Sequence, residues 1–120
     1  MANVMIVDDS DAIRLVLKDI MVIGKHNLVG ELDSGLRVLE EYIKLKPDII
    51  LLDMAMPKRD GISVLKEITG FNPNAKIIMI SASDNQETIK ECMRLGAKAY
   101  ILKPFNFQEV LDRITQVIKS

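Results

Sequence analysis

Short apolar runs alternate along this chain with longer segments in which apolar residues recur every three or four positions. The runs lie at residues 4–7, 28–32, 49–52, 77–80 and 100–102. A short apolar run between polar residues is typical of a strand buried in a parallel sheet. The run at 28–32 is more polar, which predicts an edge strand. The alternation predicts an α/β fold with helices on both faces of the sheet.

Five helices are predicted between and after these runs. The first ends near Gly24, the second ends before Pro47, and Gly96 is predicted to cap the fourth. Their apolar positions are Ile13, Val16, Leu17, Ile20 and Met21; Leu36, Leu39, Tyr42 and Ile43; Val64, Leu65 and Ile68; Ile89, Cys92 and Met93; and Val110, Leu111, Ile114, Val117 and Ile118.

Composition and charge narrow the class of protein. A length of 120 residues with 48% hydrophobic residues fits one globular domain, predicted over residues 1–120. The formal net charge of −1 argues against direct binding to nucleic acid or to an anionic membrane. No apolar stretch approaches the length of about 20 residues that a membrane span needs. The single cysteine, Cys92, and the lack of a signal peptide predict a cytoplasmic protein.

Polar residues that can do chemistry follow four of the apolar runs. Asp8 and Asp9 follow the first, Asp53 the third, Ser81 the fourth and Lys103 the fifth. Parallel strands present their carboxyl ends on one edge of a sheet, where ligand sites of open α/β folds form. Three carboxylates there would repel one another unless a cation offset them, and oxygen ligands suit Mg²⁺. The pattern predicts a pocket for Mg²⁺ and a phosphoryl group.

Each of these residues also has an ordinary structural explanation. Asp8, Asp9 or Asp53 could cap the helix that follows it. Ser81 could belong to a turn, and a lone Lys103 would usually be solvated. No cluster of histidine and cysteine offers a zinc site, and the lone His26 is predicted to be a surface residue.

Short motifs in order along the whole chain strengthen the chemical interpretation. They are Ile6-Val7-Asp8-Asp9-Ser10, Leu52-Asp53-Met54-Ala55-Met56-Pro57, Asp60-Gly61, Ser81-Ala82, Gly96-Ala97 and Lys103-Pro104-Phe105. With them the sequence resembles the receiver domain of two-component response regulators, most closely the single-domain chemotaxis type. The resemblance implies a flavodoxin-like, doubly wound, five-stranded parallel sheet in the order 2-1-3-4-5, with five helices.

The resemblance also implies a phosphoacceptor and a metal site. Asp53 would accept a phosphoryl group from a phosphohistidine on a sensor histidine kinase, forming an acyl phosphate. Asp9 and Asp53 would bind Mg²⁺ directly, Asp8 through water, and Ala55 through its backbone carbonyl. The protein would catalyse only its own phosphorylation and dephosphorylation, so it would not be an enzyme in the usual sense.

Three further residues would connect the phosphoryl group to a partner. Lys103 would offset the charge on the phosphoryl oxygens, and Ser81 would donate a hydrogen bond to them. Tyr100 matches the family's switch aromatic, which turns inward when the serine moves, although it could also be a plain strand aromatic. A downstream protein would bind the face formed by the fourth helix, the fifth strand and the last helix.

The biological output stays open at this point. The resemblance favours a chemotaxis-type or stand-alone regulator that is a monomer or a weak, phosphorylation-dependent dimer. The alternative is a phosphorelay intermediate, or a receiver excised from a longer DNA-binding regulator.

Two other classes of protein fit the sequence less well. A flavodoxin-like FMN carrier is disfavoured because residues 8–11, Asp-Asp-Ser-Asp, would repel a phosphate without a metal. An aspartate-nucleophile phosphatase would usually carry a second acid two residues after the nucleophile, where this chain has Ala55.

Overall fold

The computed structural model describes the whole chain, Met1–Ser120, as five strands alternating with five helices. In chain order these are β1 (Asn3–Val7), α1 (Asp11–Ile23), β2 (Asn27–Leu32), α2 (Val38–Leu45), β3 (Ile49–Asp53), α3 (Gly61–Phe71), β4 (Ile77–Ser81), α4 (Gln86–Arg94), β5 (Ala99–Leu102) and α5 (Phe107–Lys119). All strand pairs are parallel, in the order β2-β1-β3-β4-β5. The predicted fold class, strand order and edge position of the second strand are confirmed. None of the helices combines the length and hydropathy that a membrane span requires.

Alternate side chains of the central strands enter two separate apolar layers. Val4 and Ile6 pack with α1 and α5, whereas Met5 and Val7 pack with residues of α2, α3 and α4. Side chains of successive strand residues point to opposite faces, so a strand covered on both sides must be apolar throughout. Every residue of β3 and β4 is buried, which explains their unbroken apolar runs. The polar residues that end these strands are therefore held on a rigid framework.

Hydrogen bonds at the helix starts show which residues act as caps. The Ser10 hydroxyl accepts from the Ile13 amide at 3.2 Å and caps α1. The carboxylate of Asp60 caps α3 by accepting from the Ser63 amide at 2.8 Å. Asp8, Asp9 and Asp53 therefore do not cap these helices, and the capping explanation for them is wrong.

The end of α4 shows why a glycine stands at position 96. Gly96 follows the capping residue Leu95 and has φ of +110°, a conformation that strains residues with a side chain. Its amide donates to the Met93 carbonyl at 3.1 Å, and the Ala97 amide donates to the Cys92 carbonyl at 3.0 Å. This paired geometry is a Schellman motif, in which glycine lies one residue beyond the cap.

Several side chains differ from their predicted positions. The second helix begins at Val38, so Leu36 lies outside it and is exposed, while Val38 is buried. Val16 and Ile43 are also exposed. His26 is half-buried, and its Nδ1 accepts a hydrogen bond from the Ala2 amide at 3.0 Å. Burial and the nearby amino terminus lower the pKa of His26.

Candidate functional site: a carboxylate pocket at the sheet edge

Three aspartates meet at the carboxyl ends of the neighbouring strands β1 and β3. One carboxylate oxygen from each of Asp8, Asp9 and Asp53 lies within 4.8 Å of the others. Asp8 and Asp53 are 1% and 3% exposed, whereas Asp9 is exposed to solvent. The pocket therefore has a buried floor and one open side through which a ligand can enter.

Lys103 follows the edge strand β5, and its side chain extends into this pocket. Its Nζ lies 3.1 Å from Asp53 Oδ1 and 3.3 Å from Asp8 Oδ2. One ammonium group thus bridges two buried carboxylates that lie on adjacent strands. With the exposed Asp9 included, three carboxylates face a single cation, so the pocket has an excess of negative charge.

The hydrogen bonds of the pocket leave specific oxygens available. Both carboxylate oxygens of Asp8 have donors, since Oδ1 accepts from the Ser10 amide at 2.9 Å and Oδ2 accepts from Lys103. Asp53 accepts only from Lys103, on Oδ1, which leaves its second oxygen free. No backbone amide donates to the Ala55 carbonyl in the adjoining loop. An oxygen-only donor set with free lone pairs fits Mg²⁺.

Burial and the charges in the pocket shift the pKa of Asp53. Burial and the charge of Asp8 raise the pKa of Asp53 from 3.8 to about 6, although Lys103 opposes the rise. Burial lowers the pKa of Lys103, but the carboxylates of Asp53 and Asp8 outweigh it and leave the pKa raised. Lys103 thus stays protonated at neutral pH, while Asp53 is ionised at an energetic cost that a divalent cation would offset.

This shift predicts how the metal-free protein responds to pH. The pKa of Asp53 is raised to about 6 in the folded state, so its ionisation disfavours folding as the pH rises through 6. In a chelating buffer at pH 7, the free energy of unfolding of Asp53→Asn should therefore be about 1–3 kcal/mol higher than that of wild type, so the variant is the more stable protein. The gap should close as the pH falls toward 4. Denaturant unfolding at several pH values measures it, and a gap that does not change with pH contradicts the assignment.

Ser81 and Tyr100 are joined through one residue of the loop between β4 and α4. The Ser81 hydroxyl, buried at the end of β4, accepts from the Ser83 amide at 3.0 Å. The hydroxyl of the half-buried Tyr100 donates to the Ser83 carbonyl at 2.9 Å. The loop segment around Ser83 therefore connects the edge of the pocket to β5.

The structure thus brings together Asp8, Asp9, Asp53 and Lys103, and it places Ser81 on the same edge. Two contributors to the site are not predicted from the sequence: the backbone of Ser83 and the side chain of Arg14. The backbone of Ser83 gives no signal in a sequence, because any residue has the same amide and carbonyl. Arg14 gives a weak one, as a basic residue one turn into α1, close to the acids; its guanidinium donates to the Asp8 carbonyl at 2.6 Å.

Comparisons with known proteins agree with this geometry. The family model of the response regulator receiver domain matches residues 4–115. Chemotaxis protein CheY of Thermotoga maritima is 41% identical over 117 residues, covering 98% of both chains. Sporulation initiation phosphotransferase F of Bacillus subtilis is 32% identical, covering 97% of this chain and 93% of the relative. The crystal structure of the CheX–CheY–BeF3–Mg²⁺ complex from Borrelia burgdorferi matches with a TM-score of 0.93 and 38% identity, covering 96% of this chain and 87% of that one.

Proposed function

The chain belongs to the family of response regulator receiver domains, and on that premise we propose that it is a signalling switch that Asp53 turns on by accepting a phosphoryl group. The observation that carries the proposal is the position of Asp53. It is a buried carboxylate at the end of β3, with two further acids and an ammonium group around it. Phosphoryl transfer depends mainly on positioning and on neutralising charge. The end of β3 positions Asp53, Lys103 supplies one positive charge, and the three acids can hold a divalent cation that supplies more.

The reaction proposed for Asp53 is attack on the phosphorus of a phosphohistidine carried by a sensor histidine kinase. A bond forms between the free Asp53 oxygen and phosphorus, the phosphorus–nitrogen bond breaks, and the imidazole leaves and takes up a proton. A pKa of about 6 means that most of Asp53 is ionised at neutral pH, so it needs no general base.

Four residues would hold the metal that this transfer needs. Asp9 and Asp53 would bind Mg²⁺ directly, Asp8 through water because both its oxygens already accept hydrogen bonds, and Ala55 through its free carbonyl. When bound, Mg²⁺ supplies positive charge against the phosphoryl oxygens. The Borrelia burgdorferi relative was crystallised with Mg²⁺ and BeF3, and BeF3 resembles a phosphoryl group. This supports the proposal that the pocket of this chain binds Mg²⁺ and a phosphoryl group together.

Lys103 and Ser81 would complete the phosphoryl site. Lys103 Nζ is 3.1 Å from Asp53, so a phosphoryl group on that carboxylate would lie within its reach. The Ser81 oxygen accepts from the Ser83 amide, which leaves the hydroxyl hydrogen of Ser81 free to donate to a phosphoryl oxygen. The two charge-assisted contacts would form only after phosphorylation.

These contacts would change the balance between two arrangements of the molecule. Moving a protein from mostly inactive to mostly active takes roughly 5 kcal/mol of differential stabilisation. Movement of Ser81 toward the phosphoryl group would pull on Ser83, and through the Ser83 carbonyl on Tyr100. A downstream protein would then read the face formed by α4, β5 and α5. The identity to chemotaxis protein CheY favours a chemotaxis-type output over a phosphorelay intermediate.

The switch can be tested by fluorine NMR, because the chain has only two tyrosines. With 3-fluorotyrosine incorporated, beryllofluoride and Mg²⁺ should shift the Tyr100 signal, because its hydroxyl is linked to the pocket through Ser83. The Tyr42 signal should not shift, since the Tyr42 hydroxyl accepts from Asn72, away from the pocket. The variant Tyr42→Phe assigns the signals.

Ser81→Ala supplies the matched comparison for this experiment. It removes the hydroxyl that would donate a hydrogen bond to the phosphoryl group, so most of the shift of the Tyr100 signal should disappear. A full Tyr100 shift in Ser81→Ala would refute the role of Ser81, and no shift in wild type would refute the switch itself.

A further inference from the structure

The guanidinium of Arg14 lies at the centre of a network beside the carboxylate pocket. Its Nη1 donates to the Asp8 carbonyl at 2.6 Å, and its Nε donates to Glu31 Oε2 of β2 at 3.1 Å. A third contact joins it to the carboxylate of Asp11 in the first turn of α1. The Arg14 side chain is only 12% exposed. One side chain thus connects β2, α1 and the backbone that carries the pocket.

The contact with the Asp8 carbonyl holds the backbone at the point where the chain leaves β1. That carbonyl belongs to the peptide unit joining Asp8 to Asp9, and this unit is planar. Fixing its oxygen therefore fixes the orientation of the Asp9 amide and Cα as well. The Asp9 side chain is exposed and lies beside the carboxylates of Asp8 and Asp53. It takes part in none of the ion pairs of the chain. Its aim into the pocket depends on the backbone.

We propose that Arg14 is a positioning residue of the metal pocket, which aims the Asp9 carboxylate by clamping the Asp8–Asp9 peptide to β2 and α1. This inference rests on the proposed function, because it takes Asp9 to be a metal ligand. Only a guanidinium has donors in a planar fork that can reach a carbonyl and two carboxylates together. A lysine would keep the charge and lose the clamp.

Positioning can be separated from electrostatics by the sign of the effect. Arg14 is positive and close to the pocket, so its charge alone repels Mg²⁺, and its removal would tighten metal binding. If Arg14 instead aims a ligand, its removal weakens metal binding. If Arg14 only supports the fold, its replacement would lower the melting temperature and leave the Mg²⁺ affinity of the folded protein unchanged.

The experiment is a Mg²⁺ titration of the pocket amides by NMR, well below the melting temperature, in wild type, Arg14→Lys, Arg14→Ala and Glu31→Gln. Lys18→Ala is the matched control, because Lys18 pairs with the same Glu31 but does not contact the Asp8 carbonyl. Arg14→Lys and Arg14→Ala should raise the Kd for Mg²⁺ by about tenfold or more, as loss of groups that orient metal ligands does. Glu31→Gln should have a smaller effect in the same direction, and Lys18→Ala should bind like wild type.

A second readout uses labelling by acetyl phosphate at increasing Mg²⁺ concentrations. Arg14→Lys should need more Mg²⁺ for half-maximal labelling and approach the wild-type rate at saturation, since Asp53 and Lys103 are intact. If wild type binds Mg²⁺ and Arg14→Lys binds it as tightly or more tightly, the positioning role is wrong and the proposed function stands. If wild type does not bind Mg²⁺, both are wrong. Arg14→Lys and Glu31→Gln decide the question should Arg14→Ala not fold.

Discussion

Replacing Lys103 with methionine should destabilise the metal-free protein at pH 7 by about 3 kcal/mol, because it leaves two buried carboxylates without a counterion. Lys103 Nζ lies 3.1 Å from Asp53 and 3.3 Å from Asp8, and both aspartates are almost fully buried. Methionine keeps most of the aliphatic volume, so the loss is mainly of charge. A change of this size should lower the melting temperature by about 10 °C in a chelating buffer.

Three comparisons make this experiment specific. Lys98→Met, at an exposed lysine just before β5, should melt close to wild type. Mg²⁺ should stabilise Lys103→Met more than it stabilises wild type, because the metal takes over the charge that the lysine supplied. Adding Asp53→Asn to Lys103→Met should recover part of the loss by removing one of the two unpaired carboxylates. If Lys103→Met and Lys98→Met melt at the same temperature, the ion pairs of Lys103 do not offset the negative charge of the buried carboxylates.

The framework could be predicted from the sequence because burial on both faces gives β1, β3 and β4 unbroken apolar runs. Parallel strands then bring the residues after them to one edge, so the pairing of Lys103 with Asp53 across 50 positions followed from topology. Strand order did not follow from periodicity. It came from resemblance to a family whose motifs span the chain.

Other features depend on contacts that a sequence does not encode locally. Leu36 has helical spacing with Leu39, yet α2 begins only at Val38, and the preceding turn brings Gly35 against the backbone of Arg59. Arg14 contacts a backbone carbonyl and a residue of β2, and neither partner can be found by counting along α1.

Asp53 alone should accept the phosphoryl group, and it should need the metal pocket to do so. Wild type, Asp53→Asn, Asp9→Asn and Asp84→Asn would each be incubated with acetyl phosphate, with Mg²⁺ or with a chelator. Asp84 is an exposed aspartate in the loop after β4, so its replacement controls for loss of a nearby negative charge. Asp9→Asn keeps the phosphoacceptor and removes a proposed metal ligand, so its labelling should be slow.

Intact-mass spectrometry of these samples tests the claim most directly. We expect one phosphoryl group per chain in wild type and in Asp84→Asn, only with Mg²⁺, and none in Asp53→Asn. Hydroxylamine should release that group, because it cleaves acyl phosphates and leaves the phosphate esters of serine intact. Equal labelling of Asp53→Asn, or full labelling of wild type in the chelator, would contradict the account.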